Sequence, residues 1–538
     1  MKKVFLMAFL FGSAFSVYSQ LVLSSGSQLV VNSGSVVVAN DITCSGGTIK
    51  NNGEVSILGD ITNNSGALMD ATSTGTVTFE GTSAQEITGT ASSTFYGTLD
   101  INNATGVAIT NTATGADQVI NGTLNFTSGK LTINGFNLTI GASDPTGAST
   151  TSFIVTNSTG SVKRSVPADG STNVIYPIGN SAYNPITLQN SVSATTDNYS
   201  VRVADSKPAG FSGTTHIVDR SWVVGEDVAD GSDLTTTYQW NVGEELTNFD
   251  RSASTIGVTS DNGTTVSWGS NTSATGSNPY TNSSSGITST GTLMVGDYFY
   301  SGLVIDLQAF LAGAYNTTNH NMDNTLNSLL PLTDPYGLTT TVASVPATAV
   351  DWIKIELRDA GNHATVLHSF ARFIDQNGQI INEDGTDCKM TGVVSGSYYI
   401  AIQHRNHFGV VSTSTVNLAG SPTLTFKGAQ ATAWQDGTIT TNAAMKEVET
   451  NVFALWDGDA NGDGEIAYNG AGNDRSAVLT EVGVGTPGNT VLDSYSANDV
   501  NMDGDVIYNG AGSDRSSILT VVGVSTPGVV YSAHIPEL

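Results

Sequence analysis

Two acidic loops near the C-terminus carry residue types with a defined chemistry. The segment DANGDGEI at residues 459–466 recurs as DVNMDGDV at residues 499–506. A near copy of one tail follows each segment, YNGAGNDR at residues 468–475 and YNGAGSDR at residues 508–515. The offset between the copies is forty residues throughout. This region is therefore an internal duplication of one acidic loop.

The Asp-x-Asn-x-Asp-Gly pattern in both copies matches the ligand spacing of a calcium loop. Ca²⁺ takes six to eight oxygen ligands, supplied by the first, third and fifth side chains and the seventh carbonyl, while glycine at the sixth place allows a sharp turn. The sequence therefore predicts two calcium ions. The predicted ligands are Asp459, Asn461, Asp463 and the carbonyl of Glu465 for one ion, and Asp499, Asn501, Asp503 and the carbonyl of Asp505 for the other.

Both loops depart from the ordinary pattern at the twelfth place, where an acidic ligand is expected. That place holds Gly470 or Gly510, and the nearest carboxylates are Asp474 and Asp514, four residues later. We predict that the inserted YNGAG segment bulges and returns these carboxylates to the ions. Two alternatives stay open. Each Asp is a favoured N-cap for a following helix, and the loops as a whole are compatible with acidic surface turns that hold no metal.

A hydrophobic residue occupies the eighth place of each acidic segment. These residues are Ile466 and Val506. We predict that they pair the two loops through a short strand contact.

The N-terminus has the pattern of a secretory signal peptide. A basic start, MKK, precedes an apolar run, and Val17-Tyr18-Ser19 supplies small residues for cleavage before Gln20. No later stretch has about 20 uninterrupted apolar residues, so we predict a mature chain with no transmembrane segment. The expected location is extracellular or the outer cell surface, with the periplasm left open. Two cysteines far apart, Cys44 and Cys388, favour isolated buried thiols.

The charge balance excludes one class of partner. The 538 residues include 19 Lys and Arg against 47 Asp and Glu, a formal charge of −28. Binding to nucleic acid needs a basic surface, so we expect no nucleic-acid partner.

In the remainder of the chain, polar and apolar residues alternate over short runs, as is typical of β-strands. Gly, Asn and Ser punctuate runs such as EVSI at residues 54–57 and TVTF at residues 76–79. We predict a mostly β protein with a signal peptide at 1–19, β-solenoid-like repeats at 20–141, β-sandwich-like domains at 142–302 and 303–450, and a small calcium module with short helices at 451–538. A flattened sandwich is the alternative for the first repeats, since no fixed repeat length stands out.

The C-terminal half carries a family resemblance. The paired loops with short helices resemble the duplicated calcium motif of dockerins, which belongs to the EF-hand-like class, apart from the inserted YNGAG. The insertion, with DWIKIELRDA at 351–360, YYIAIQHRNH at 398–407, LAGAY at 311–315 and LPLTDPY at 330–336, resembles large secreted surface proteins of Bacteroidetes described as haemagglutinin-like or adhesin-like. The resemblance covers residues 300–520 and extends to residues 20–300 only in style. It implies a secreted or cell-surface role.

These observations predict an adhesion or recognition protein with calcium-stabilised C-terminal loops. The expected partners are surface glycans or another extracellular protein, and the six tryptophans are expected in the core or on a sugar-stacking platform. One alternative is a dockerin-type subunit that binds a cohesin-like partner. The other is a carbohydrate-active enzyme, although no paired catalytic carboxylates are apparent and we expect no catalysis. The HRNH segment at 404–407 is either a structural strand end or part of a metal site that needs further ligands.

Overall fold

The structure is a computed structural model that describes residues 17–112, 116–419 and 421–536. It is mostly β, with 42% strand and 7% helix, which confirms the predicted class. The chain divides into two compact units, Met1–Ser301 and Gly302–Leu538. Most of the predicted signal peptide, residues 1–16, lies outside the described residues, and the backbone from Val17 onward begins the first strand.

Short strands form the first part of the first unit. They are β1 (Val17–Ser24), β2 (Gln28–Val31), β3 (Val36–Ser45), β4 (Thr48–Asn51), β5 (Glu54–Ile57), β6 (Ile61–Asn63), β7 (Thr76–Phe79), β8 (Gln85–Gly89), β9 (Thr94–Phe95), β10 (Thr98–Asn102), β11 (Val107–Ile109), β12 (Gln118–Ile120), β13 (Thr123–Ser128), β14 (Leu131–Thr132), β15 (Leu138–Ile140), β16 (Ile154–Val155), β17 (Val162–Val166), β18 (Val174–Tyr176) and β19 (Ile178–Gly179).

Parallel stacking of these strands gives the solenoid-like coil that the alternation predicts. Glu54 on β5 aligns with Thr76 on β7, Thr76 with Thr98 on β10, and Thr98 with Thr123 on β13. The successive rungs are therefore 22, 22 and 25 residues long. Because rung length varies, no single repeat length is visible in the sequence. The parallel pairing continues past residue 141, where β16 pairs with β19.

A column of glycines lets these rungs approach closely. Gly53, Gly75, Gly97 and Gly122 each stand just before a strand of the stack. A Cβ atom on Gly75, Gly97 or Gly122 would overlap the carbonyl oxygen of the glycine one rung before it. The column explains why the motif Gly-[Glu/Thr]-[Val/Leu] recurs at the start of each of these strands.

Longer antiparallel strands complete the first unit. They are β20 (Ile186–Asn190), β21 (Asp197–Ala204), β22 (Ile217–Glu226), β23 (Leu234–Trp240), β24 (Ser254–Thr259), β25 (Ser267–Trp268), β26 (Thr275–Gly276), β27 (Tyr280–Ile287) and β28 (Gly291–Asp297), with 3₁₀ turns at Val242–Glu244 and Arg251–Ala253 and a short helix α1 (Tyr298–Ser301).

One sheet joins the parallel and antiparallel parts. Its order is β25-β24-β28-β22-β21-β17-β15-β12-β9, so the last coil strands pair directly with the antiparallel ones. A second sheet has the order β18-β20-β23-β27-β26. Trp222 and Trp240 are fully buried in a hydrophobic core that also contains solenoid residues such as Ile101. These two tryptophans are therefore core residues and contribute no sugar-stacking surface.

The second unit carries the remaining elements. They are β29 (Leu303–Val304), β30 (Asp306–Gln308), β31 (Tyr315–Asn316), β32 (Asn321–Met322), β33 (Ala349–Asp359), β34 (Asn362–Asp375), β35 (Ile380–Ile381), β36 (Lys389–Met390), β37 (Ser397–Gln403), β38 (Val410–Val411), β39 (Val416–Asn417), β40 (Thr423–Thr425), β41 (Lys446–Glu449), β42 (Val452–Ala454), β43 (Glu465–Ala467), β44 (Thr490–Val491), β45 (Val506–Ile507) and β46 (Val530–Ser532), with helices α2 (Asp474–Val482) and α3 (Asp514–Val522) and 3₁₀ turns at Thr325–Leu329 and Gln430–Thr432.

An antiparallel sheet centred on β33 positions the C-terminal region. Its order is β35-β34-β33-β37-β38, with β39 also pairing with β37. Trp352 on β33 is fully buried. The HRNH segment follows β37 directly, and this position places it next to the start of the acidic loops.

Cys44 and Cys388 are both free and buried, as expected for isolated thiols. Within the described ranges, none of the helices has the length and apolar content needed to cross a membrane.

We predict that Gly75→Ala destabilises the first unit, because its new methyl group would overlap the carbonyl oxygen of Gly53. Overpacking of this kind costs about 2 kcal/mol. The free energy of unfolding, measured by denaturant titration of the full chain, should fall by about that amount. Gly243→Ala is the matched control, since a Cβ atom there meets nothing within 4 Å. Equal stability of the two variants would contradict close rung stacking.

Candidate metal centre

The first acidic loop curls around its own carboxylates. The Asp459 carboxylate accepts hydrogen bonds from the backbone N–H groups of Asp463 at 3.2 Å and Gly464 at 3.1 Å. The Asn461 side-chain oxygen accepts a further bond from Asp463 N at 3.0 Å. Gly464, at the sixth place, has a φ of 78°, in the left-handed region that favours glycine. The glycine that the sequence pattern requires is therefore used for the turn.

The second loop repeats this geometry. The Asp499 carboxylate accepts hydrogen bonds from Asp503 N at 3.1 Å and Gly504 N at 2.9 Å, and Asn501 Oδ1 accepts one from Asp503 N at 3.2 Å. Gly504 has a φ of 93°. The forty-residue sequence repeat is therefore a structural repeat, in which the same side chains occupy the same places.

The late carboxylates return to their loops. Asp474 accepts hydrogen bonds from Ala460 N and Ala467 N, both at 2.8 Å, which lie on either side of the first turn. Asp514 accepts the equivalent bonds from Val500 N and Ile507 N, also at 2.8 Å. The inserted YNGAG segment therefore lies between a loop and a carboxylate that reaches back to it.

The capping alternative is wrong about which residue caps each helix. Asn473 caps α2 and Ser513 caps α3, each accepting a hydrogen bond from a backbone N–H three residues later. Asp474 and Asp514 are the first helical residues, and their side chains bond to the loop backbone instead. An anionic group in this first turn is also favoured by the helix dipole.

The predicted strand contact between the two loops is also wrong. Ile466 on β43 pairs with Tyr531 on β46, and Val506 on β45 pairs with Val491 on β44. Each loop strand therefore pairs with the tail that follows the other repeat's helix. Both Ile466 and Val506 are buried in the small core of the module, which explains their apolar character.

Side chains of the inserted segments add hydrogen bonds between the two repeats. Asn469 Nδ2 donates to the carbonyl oxygen of Pro527, and Asn509 Nδ2 donates to that of Pro487, both at 2.9 Å. Each insertion thus reaches the tail of the opposite repeat. The two repeats form an interlocked pair.

Four carboxylates in the loops are buried. Asp474, Asp499 and Asp514 are 0% exposed and Asp459 is 6% exposed. Burial raises the pKa of Asp459 to about 6 and the pKa values of Asp474, Asp499 and Asp514 to about 7. Neighbouring carboxylates raise them further, as Asp459 does for Asp474. Among the described residues, none of the four forms an ion pair with a basic side chain.

These groups fit a hard divalent cation. Each loop brings together two buried carboxylates, an exposed one (Asp463 or Asp503) and an amide oxygen (Asn461 or Asn501), which are oxygen ligands of the kind Ca²⁺ prefers. The carbonyls of Glu465 and Asp505 lie at the start of β43 and just before β45. Across the part of the chain that the structure describes, no group of three or more His, Cys, Asp or Glu side chains is a ready metal site. Calcium binding by the two loops stays a prediction.

The HRNH segment lies beside the loops in a buried polar network. His404 Nε2 lies 3.0 Å from the Asp351 carboxylate, and His404 Nδ1 lies 3.0 Å from His407 Nδ1. Gly313 N donates to His407 Nε2 at 3.0 Å. Burial lowers the pKa values of both histidines. The ring nitrogens are occupied by protein partners, which favours the structural alternative for this segment.

Comparisons with protein-family models, curated proteins and solved structures find no match for this chain.

We predict that the calcium-free chain loses stability as the pH rises from about 4 to about 7 through these carboxylates. Their pKa values are higher in the folded chain than the ordinary 3.8, so the folded state binds more protons in this window. The measurement is the thermal unfolding midpoint of calcium-stripped protein across the window. Because other carboxylates titrate too, the comparison is with Asp474→Asn/Asp514→Asn, which should show a weaker decline. Parallel pH profiles for the two proteins would contradict the prediction.

Proposed function

We propose that this chain is a secreted or cell-surface adhesion or recognition protein whose C-terminal module, residues 451–538, is held folded by two calcium ions. The observation that carries this proposal is the pair of equivalent loops, each with two buried carboxylates that form no ion pair among the described residues. A bound cation would neutralise the charges that burial disfavours. Residues 142–302 and 303–450 are proposed as sandwich-like domains that present the recognition surfaces.

Calcium would act here as a structural ligand. The loop ligands, the returning Asp474 and Asp514, and the helices they begin form one connected unit. Binding to the folded state alone would stabilise this unit by mass action. Extracellular calcium modules bind in the range of about 10⁻⁴–10⁻³ M, which suits a protein outside the cell.

A docking role is the second candidate, and one observation favours it. The module shows the same surface twice: Arg475 lies 4.6 Å from the ring centre of Tyr468 and Arg515 lies 4.8 Å from that of Tyr508. Val484 and Val524, equivalent residues after the helices, are 68% and 70% exposed. The same Arg–Tyr pair and the same exposed valine therefore recur in both repeats, and this repetition suits a protein partner such as a cohesin-like domain.

The calcium proposal is tested by titrating Ca²⁺ into the full chain by calorimetry, with thermal unfolding alongside. We expect two bound ions and a higher midpoint for the module's transition in calcium than in chelator. Asp463→Ala/Asp503→Ala should abolish both effects, because these carboxylates are exposed and their loss removes ligands without leaving a buried cavity.

The matched control is Asp493→Asn, which removes an exposed charge of the same module outside the predicted ligand set. This variant should bind calcium as the unmodified chain does. Absence of binding heat and of any midpoint shift in the unmodified chain would identify the loops as acidic surface turns and reject the calcium role.

Recognition is tested separately by applying labelled full chain to immobilised glycans in calcium and in chelator. Calcium-dependent retention that Asp463→Ala/Asp503→Ala loses would support the glycan-binding form of the proposal. Retention of a single extracellular protein in pull-down, with no glycan binding, would support the docking form.

A further inference from the structure

The two acidic loops share their ligands but differ in their surroundings. We infer that Asn406 and Arg405 of the HRNH segment are positioning residues for the second loop, which they make the tighter, structural calcium site, while the first loop is the weaker, exchangeable site. This inference rests on the proposed calcium role and adds a division of labour between the two ions.

Asn406 holds the backbone at the start of the second loop. Its Nδ2 donates to the carbonyl oxygen of Asp499 at 2.7 Å and to that of Ala497 at 3.1 Å. Arg405 donates to the carbonyl oxygen of Ser496. Asn406 is 1% exposed. The residue that supplies the second ion's first ligand is therefore fixed from outside the loop.

Arg405 is itself held in place by a buried carboxylate. Arg405 Nε donates to the Asp351 carboxylate at 3.0 Å, and the Tyr495 hydroxyl donates to the same carboxylate at 2.7 Å. The Arg405 guanidinium also lies 4.5 Å from the ring centre of Tyr495. Asp351 is on β33, at the centre of the main sheet of this unit. The positive charge of Arg405, which would otherwise oppose a nearby cation, is thus paired with Asp351.

Residues 313–329 support the second loop from elsewhere in the unit. A Cβ atom on Gly313 would overlap the carbonyl oxygen of Val500, so the two backbones are in close contact. A Cβ atom on Gly504 would lie 3.3 Å from a methyl carbon of Leu329, so these two residues are also close. Met502 is 3% exposed. The middle of the second loop also forms part of the wall of a polar cavity together with Asn316 and Asp323.

In the described part of the chain, the first loop is hydrogen-bonded to the HRNH segment and the adjoining Phe408 only through residues that precede the loop: Gly458 N donates to the carbonyl oxygen of Asn406 at 3.3 Å, and Phe408 N donates to that of Trp456 at 2.9 Å. Asn461, Gly462 and Asp463, the equivalents of the residues in that cavity wall, are all exposed. Among the described residues, no hydrogen bond joins residues 459–472 to residues 303–450. The bonds of this loop lie within the C-terminal module itself.

This difference has two consequences for calcium. A loop held in one shape loses less conformational entropy when it binds, so its affinity is higher. Since the second loop also contacts the β33 sheet through Asn406 and Arg405, its ion would stabilise residues 303–450 as well as the module. The exposed first loop would release its ion faster and respond first when calcium falls.

Single-loop versions of the full chain separate the two sites. Asp463→Ala leaves the second loop intact, and Asp503→Ala leaves the first. In calcium calorimetry we expect the Asp463→Ala chain to bind about tenfold more tightly than the Asp503→Ala chain, a difference of about 1.4 kcal/mol. Adding Asn406→Ala should weaken binding about tenfold in the Asp463→Ala chain and leave the Asp503→Ala chain unchanged.

Gly313→Ala provides a second route to the same result, and it replaces Asn406→Ala if circular dichroism shows that the latter has not folded. Its methyl group would displace Val500 and should weaken only the second loop. Equal affinities of the single-loop chains, or equal effects of these substitutions on both, would overturn the inference. If neither single-loop chain nor the unmodified chain binds calcium, the proposed function itself fails.

Discussion

The fold of the C-terminal module depends on the stabilisation of four buried carboxylates. Asp459 and Asp474 in one repeat, and Asp499 and Asp514 in the other, are buried and accept hydrogen bonds from backbone N–H groups. Such bonds satisfy the carboxylate oxygens but do not neutralise two like charges, so burial alone favours protonation. The turn glycines, the inserted segments and the helix starts all serve to place these carboxylates beside one another. A cation is the simplest chemical complement to that arrangement.

Local patterns predicted the parts of the fold that are set by local physics. The spacing of Asp459, Asn461 and Asp463, with Gly464 behind them, predicted a turn whose backbone curls over its own side chains, and the structure has that turn. Period-two alternation likewise predicted the short strands and their solenoid-like stacking. The length of each rung was not predictable from periodicity, because turns of different size separate strands that start alike. The recurring Gly-[Glu/Thr]-[Val/Leu] motif was a signal that could have aligned the rungs.

Pairings between distant residues were not accessible in this way. Ile466 has the character of a strand residue, but nothing near it indicates that its partner, Tyr531, comes after the other repeat's helix. Similarly, the sequence shows the HRNH segment as a polar cluster but not its partners. Its structural role depends on Asp351, about fifty residues before it, and on Tyr495 and Asp499, about ninety residues after it. The partners of Ile466 and of the HRNH segment were hidden for the same physical reason. A strand or hydrogen-bonding group specifies the kind of partner it needs, and the tertiary fold decides which residue fills that role.

The exchange of tails between the repeats has a consequence for their origin. Each forty-residue repeat, taken alone, would leave unpaired the strand in its loop and the strand in its tail, since β43 pairs with β46 and β45 with β44. Two separate copies related by a twofold axis would satisfy all four strands at once, as in a domain-swapped dimer. The module therefore has the pairing pattern of such a dimer joined into one chain. Fusion of this kind frees the two halves to diverge, so that an ancestral pair of identical halves can acquire different neighbours.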